Sequence, residues 1–273
     1  MSGTPEHPAA PHTVTSADGT TIAYDRVGQG PAVVFVGGAF NDRRSVAAWV
    51  APLAERFTVL APDRRGRGDS GDTPPYAVAR EVEDLAALVE AAGGSAALVG
   101  HSSGGALVLE AAAAGVPVDR VAVYEPPYDV APPVVTAGSD LQRTGLAAEL
   151  AQLAADGPVG AAASRFLAQL GTPPEGIEQI RRSPHWSGMT AIEHTLAYDL
   201  TVVGEGPVPT ERFGSISVPV LVLVGAGGWE WIRAAGAAVA EAVPHGTLRE
   251  VPGQGHDVSP EALASALLDF LAG

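Results

Sequence analysis

Short apolar runs recur along this chain, and stretches with helical periodicity separate them. Pro31-Ala-Val-Val-Phe-Val36, Phe57-Thr-Val-Leu-Ala61, Ser95-Ala-Ala-Leu-Val99, Arg120-Val-Ala-Val-Tyr124 and Val218-Pro-Val-Leu-Val-Leu-Val224 are nearly unbroken by polar residues. That pattern suits strands covered on both faces rather than on one. Thr247-Leu-Arg-Glu-Val251 supplies a final strand, and two extended pieces flank Asp18-Gly19 between Thr13 and Arg26, a hairpin signal. A helix is expected over Ser45–Arg56. Val78, Val82, Leu85 and Val89 fall on one helical face, which Gly93-Gly94 ends. Ser259 and Pro260 cap and open a last helix whose Leu263, Leu267, Phe270 and Leu271 form an apolar face. Strands alternating with helices predict an α/β protein with a parallel, doubly wound sheet.

The rhythm breaks between about Pro126 and Ser215, where helical patches and Pro/Gly joints replace buried strands. The expected organisation is therefore a core of residues 12–127 and 216–273, with a helical cap, 128–215, inserted over the strand ends. Residues 1–11 read as a flexible tail with neither the basic start nor the apolar centre of a secretion signal. No apolar run reaches the roughly 18–20 residues a membrane span requires. The expectation is a soluble, cytoplasmic protein.

Charge and composition narrow the chemistry. A formal charge of −15 disfavours nucleic acid and anionic membrane as partners. All 16 cations are arginine, so Schiff-base chemistry, lysine-bound pyridoxal phosphate and a P-loop lysine are excluded. With no cysteine there is no thiolate nucleophile or disulfide, and the histidine spacing suggests no metal site. No cofactor is expected. The remaining partner is a small hydrophobic substrate, with a homodimer possible.

One segment carries most of the functional signal. Gly100-His101-Ser102-Ser103-Gly104 follows a buried strand and opens the alanine-rich helix beginning near Ala106. A serine on such a strand-to-helix turn projects its hydroxyl from the sheet edge, and the helix N-terminus favours negative charge beside it. Together with the strand order, this segment resembles the elbow of the α/β-hydrolase fold superfamily of lidded serine hydrolases. The likeness covers nearly everything after the tail.

The resemblance implies an eight-stranded, mostly parallel sheet and several site residues. Gly37-Gly38-Ala39 corresponds to the family's oxyanion turn, without its usual histidine; the amides of Ala39 and Ser103 would hold the oxyanion. Pro62-Asp-Arg-Arg-Gly-Arg-Gly-Asp-Ser70 resembles the loop after the fourth strand, and its Arg67-Gly68-Asp69 is read as structural rather than adhesive. His256, in Gly253-Gln-Gly-His-Asp257, stands where the family keeps its general base, and would take the proton from Ser102 Oγ.

The third member departs from the pattern. The usual acid lies three residues beyond Gly225, and position 228 is glycine. Glu125, ending the strand after the elbow helix, is the leading candidate; Glu230, Asp129 and a bare Ser–His dyad remain open, with Asp257 ranked lower. The bland reading of Glu125 is a capping group or an arginine partner. In the cap, Trp186, Tyr198 and leucines between Leu141 and Leu153 are candidates for an acyl pocket, cap core being the alternative, and His185 and His194 are further cavity candidates.

Two further classes stay in view. A displaced acid is compatible with non-hydrolytic lyase, cyclase, coupling or C–C chemistry, as in secondary-metabolite tailoring. A ligand-binding pseudoenzyme is disfavoured by the intact serine and histidine.

Overall fold

A computed structural model describes residues 10–129 and 145–273. The strands are β1 (His12–Thr15), β2 (Thr21–Val27), β3 (Ala32–Val36), β4 (Thr58–Pro62), β5 (Ala96–His101), β6 (Val118–Tyr124), β7 (Val220–Gly225) and β8 (Gly246–Val251). They form one eight-stranded sheet in the order β1-β2-β4-β3-β5-β6-β7-β8. The β1–β2 and β2–β4 pairs are antiparallel and every other pair is parallel. Chain order reverses direction across the sheet between β3 and β5, so a crevice opens there at the carboxyl ends.

The unbroken apolar runs are explained by what covers the sheet. Val34, Val36, Leu98, Val121, Val123, Val220 and Val222 face one way. There they meet α2 (Val78–Ala91), α3 (Ser103–Ala113) and α10 (Glu230–Ala242). Alternate residues, including Val33, Phe35, Val99, Ala122 and Leu223, face α1 (Ala47–Leu53) and α11 (Pro260–Ala272). A strand with period-two side chains needs apolar residues at every position when both faces are dry.

Observed boundaries differ from the sequence expectation chiefly at α1. Ser45 and Asp42 lock each other in a turn, with Ser45 N–H on Asp42 Oδ1 at 2.7 Å and Asp42 N–H on Ser45 Oγ at 2.9 Å. The helix therefore starts only at Ala47. At the other end of the chain, Ser259 Oγ accepts from the Ala262 amide, and Pro260 occupies the first turn of α11.

Between β6 and β7 the described residues form α4 (Leu146–Asp156), α5 (Ala161–Gln169), α6 (Pro174–Arg181), α7 (Trp186–Ala191), a 3₁₀ turn (Glu193–Thr195), α8 (Leu196–Val203) and α9 (Thr210–Phe213). Their own small core of Leu146, Leu150, Ala162, Phe166 and Leu196 packs against Ala39 and Phe40. Buried Glu193 accepts the amides of Gly160 and Ala163 at 2.8 and 3.0 Å, satisfying the N-terminus of α5. A strand-like backbone bridge, Asp129 to Pro207, accompanies the helices. Leu141 and most of the expected tail lie outside the described residues. Among the described residues, no helix is long and apolar enough to cross a membrane.

Phe213 is fully buried and meets Tyr128 edge-on at 5.7 Å, fastening α9 to the core. Phe213→Ala should cost about 3–5 kcal/mol through the cavity it leaves, read as a lower urea midpoint with an unchanged m-value.

Candidate active site

Ser102 sits between β5 and α3 with φ 55° and ψ −125°, a strained conformation for a residue with a side chain. The surroundings hold it there. Its N–H donates to the Tyr124 carbonyl at 2.8 Å, and its carbonyl accepts from Gly105 N–H at 2.8 Å. A side chain at Gly104 would collide with the Val36 and Gly37 carbonyls, so only glycine lets the elbow approach β3 this closely.

Loops after β3, β6 and β8 line the cavity that Ser102 lines. Gly38, just past β3, lies so near that a methyl group there would stand 2.8 Å from Ser102 Cβ. Neither the amide of Ala39 nor that of Ser103 donates to another described residue, and both residues line the cavity into which Ser102 and His256 face. That cavity has a volume of about 310 Å³.

Glu125, directly after β6, is fully buried and also has positive φ, 49°. Its Oε2 lies 2.7 Å from His256 Nδ1, and its Oε1 accepts from Gly225 N–H at 2.8 Å. The glycine at 228 is complementary to this arrangement: a methyl group there would be 3.0 Å from Glu125 Oε1. The carboxylate arriving from β6 thus fills the space at the end of β7 from which an acid was missing. Glu230 is exposed at the start of α10, whereas Asp129 joins the bridge to Pro207. Asp257 lines the cavity beside His256.

The loop carrying His256 is pinned by groups from the elbow strand and its neighbour. Tyr124 Oη donates to the Gly255 carbonyl at 2.6 Å, and His101 Nε2 lies 3.1 Å from the His256 carbonyl. Because that partner is a carbonyl, His101 must carry its proton on Nε2. Its ring also packs against Trp49 and His256, with centroids 4.7 and 4.9 Å away.

Several sequence expectations are corrected here. Trp186 and Tyr198 do not line the cavity. Trp186 instead takes the Arg181 guanidinium over its ring at 5.7 Å, while Tyr198 stacks on Tyr76 at 3.9 Å and donates to Asp72. Neither His185 nor His194 lines it either; His194 lies 3.7 Å from Asp72. Of the leucines expected between Leu141 and Leu153, Leu146 does line the cavity, and the other apolar walls include Phe40, Phe166, Leu167, Leu200, Trp229 and Trp231. Arg67 is buried, so the Arg-Gly-Asp tripeptide is a structural loop.

Sequence reasoning also missed a buried ionic cluster. Arg64 pairs with Glu81 and Asp199, and Arg67 shares Asp199. Burial alone would raise the Asp199 carboxyl, yet Arg67 and Arg64 hold it below its ordinary value. Three arginines in one loop and a lone aspartate in apolar Leu-Ala-Tyr-Asp-Leu-Thr-Val-Val were the available signals.

A family model described as the alpha/beta hydrolase family matches residues 33–266. The chain belongs to that family. Within it, the chain is 32% identical over 268 residues to 2-(acetamidomethylene)succinate hydrolase of Mesorhizobium japonicum, covering 92% of this chain and 91% of that protein. An alpha/beta hydrolase crystal structure from Sphaerobacter thermophilus shares 46% identity at a TM-score of 0.86, with coverage of 95% and 99%. A Pseudomonas aeruginosa hydrolase with 23% identity and a TM-score of 0.76, covering 98% and 100%, shares the fold.

His101 provides a pH signature for this alpha/beta hydrolase. Burial, aided by the neighbouring His256, pushes its pKa down to about 3. The unfolded chain protonates this histidine near 6.5. Between about 6.5 and 3 the unfolded state holds a proton that the folded state lacks, so stability falls on acidification. Tm measured from pH 7 to pH 4 should fall less steeply in His101→Gln than in the wild type.

Proposed function

We propose that this chain is a serine hydrolase that cleaves an ester, lactone or thioester of a small hydrophobic molecule. The observation that carries the reading is the 2.7 Å contact between His256 Nδ1 and buried Glu125, in a histidine that shares a cavity with the strained Ser102 elbow. With Nδ1 committed to the carboxylate, His256 presents Nε2 to the cavity, the tautomer a general base requires.

The steps follow. Ser102 Oγ attacks the substrate carbonyl carbon as His256 Nε2 takes its proton. The carbonyl oxygen becomes negative and is held by the Ala39 and Ser103 amides, with the N-terminus of α3 adding favourable potential. Collapse expels the alcohol or thiol, which receives the proton from His256. Water, deprotonated by His256, then attacks the acyl carbon, the bond to Ser102 Oγ breaks, and His256 returns the proton to that oxygen as the acid leaves. Glu125 stabilises the imidazolium and fixes its orientation throughout.

The cavity supports an uncharged acyl group. Its walls are mainly aromatic and leucine side chains, and the charged residues on it, among the described residues, are Asp199 and Asp257. A dicarboxylate such as the succinate named for the Mesorhizobium relative would find no cation among the described residues that line this cavity, because Arg64 and Arg67 lie behind Asp199 and are paired with it. Non-hydrolytic chemistry rested on the glycine at 228, and Glu125 supplies the carboxylate that position lacks.

A fluorophosphonate probe should add to Ser102, located by peptide mass spectrometry. Ser102→Ala should abolish labelling and lower kcat on p-nitrophenyl butyrate about 10⁶-fold. Retained turnover in that variant would remove Ser102 as nucleophile.

Glu125→Gln should lower kcat about 10³–10⁴-fold if the acid acts through His256. Because positions 125 and 228 share one space, Glu125→Gly combined with Gly228→Asp should regain at least about tenfold over Glu125→Gly alone. Near-full activity in Glu125→Gln would instead establish a Ser–His dyad.

A further inference from the structure

Helix α8 reaches the oxyanion loop through a single carboxylate. Asp199 Oδ1 accepts from Arg64 Nη1 at 2.6 Å, Arg67 Nη2 at 2.7 Å and the Ser103 hydroxyl at 2.7 Å. Arg67 then extends its other amino group, Nη1, to the carbonyl oxygens of Gly38 and Asn41 at 2.5 and 3.1 Å.

The Gly38 contact matters because of peptide planarity. The Gly38 carbonyl and the Ala39 N–H belong to one rigid unit and point in opposite directions. A guanidinium fixed on the oxygen therefore sets the direction of the N–H, and its charge polarises that bond. Asn41 closes the loop from the other side: its N–H donates to the Gly38 carbonyl at 3.2 Å, and its Oδ1 accepts from Gly38 N–H at 3.0 Å. The second amide belongs to Ser103, whose hydroxyl Asp199 holds. One buried carboxylate from α8 is thus one bond from Ser103 and two from the Gly38–Ala39 peptide.

We infer that Arg67 and Asp199 are positioning residues for the oxyanion hole, so that the seating of helix α8 and the aim of both amide donors are set together. The inference rests on the hydrolase reading above. It assigns a function to the arginine-rich loop that its burial alone does not: the neighbouring Arg65 is equally buried but bonds Asp84 and Asp18, away from the oxyanion turn. Arg65 therefore provides the control for a merely structural ion pair. Arginine is needed at 67 because a planar fork can hold a carboxylate and two carbonyls at once, whereas an ammonium lacks that geometry.

The test compares wild type, Asp199→Asn, Arg67→Lys and Arg65→Lys. For each, kcat and KM on p-nitrophenyl butyrate are measured with Tm and with Ki for phenylboronic acid, whose serine adduct places an oxygen in the hole. Asp199→Asn and Arg67→Lys should lower kcat about 10- to 100-fold with KM within about threefold, and should raise Ki in parallel. Arg65→Lys should lower Tm while kcat stays within about twofold of wild type. Should Asp199→Asn fail to fold, Ser103→Ala, which removes one bond to Asp199 and leaves the amide, takes its place with the same expected pattern.

The inference is overturned if kcat and Ki stay near wild type in the first two variants, if kcat falls while Ki does not rise, or if all three variants lose activity in proportion to Tm. A wild type that neither turns over esters nor takes the fluorophosphonate label would sink the hydrolase reading and this inference with it. An active wild type with unaffected variants would sink this inference alone.

Discussion

The hydrogen-bonded contact between Glu125 and His256 requires three strand ends to be in register at once. Glu125 is cut off from solvent, and leaving a carboxylate there without partners would cost several kcal/mol. Gly225 N–H from the end of β7 and His256 from the loop after β8 supply those partners. The backbone at Glu125 takes a positive φ to reach them, and the adjacent residue, Tyr124, holds both the Ser102 amide and the Gly255 carbonyl. Parallel pairing of β5, β6, β7 and β8 brings these ends to one edge, so the sheet and the site are one construction.

A second constraint comes from the arginines. The loop after β4 buries Arg64, Arg65 and Arg67, and their carboxylate partners come from three other parts of the chain: Glu81 and Asp84 in α2, Asp18 in the hairpin, and Asp199 in α8, which Arg64 and Arg67 share. Burial opposes these charges; at Arg64, Arg65, Glu81 and Asp199 the pairing outweighs it, whereas burial and the neighbouring Arg64 keep Arg67 below its ordinary value. Arg64 stays above its ordinary value despite full burial because Glu81 and Asp199 lie against it. Such clusters add little net stability over a well-packed apolar core. Their contribution is geometric, since a fork with fixed angles accepts few arrangements of its partners.

Family membership and fold likeness give this chain a scaffold on which many chemistries are possible. In this chain aromatic walls from α10 and its preceding loop line the cavity, and of the two carboxylates on it Asp199 is held by Arg64 and Arg67.

Much of the sheet was legible because dry strands have a local signature. Runs rich in β-branched residues and bounded by glycine or proline identify themselves without their neighbours, as in Ala32–Val36 and Val220–Gly225. The elbow was legible for the same reason, being a contiguous glycine-serine pattern between a strand and a helix. The cavity walls were not. Trp186 and Tyr198 were plausible lining residues by type, and their outward pairing with Arg181 and Tyr76 depends on how the cap helices settle. The sequence by itself determined the order of strands and helices and the short motifs, because those depend on residues a few positions apart. Only the tertiary structure decided that Glu125 meets His256, 131 positions away, and that Asp199 meets Arg67, 132 positions away. Such pairings follow from strand register and helix docking, which no local pattern encodes.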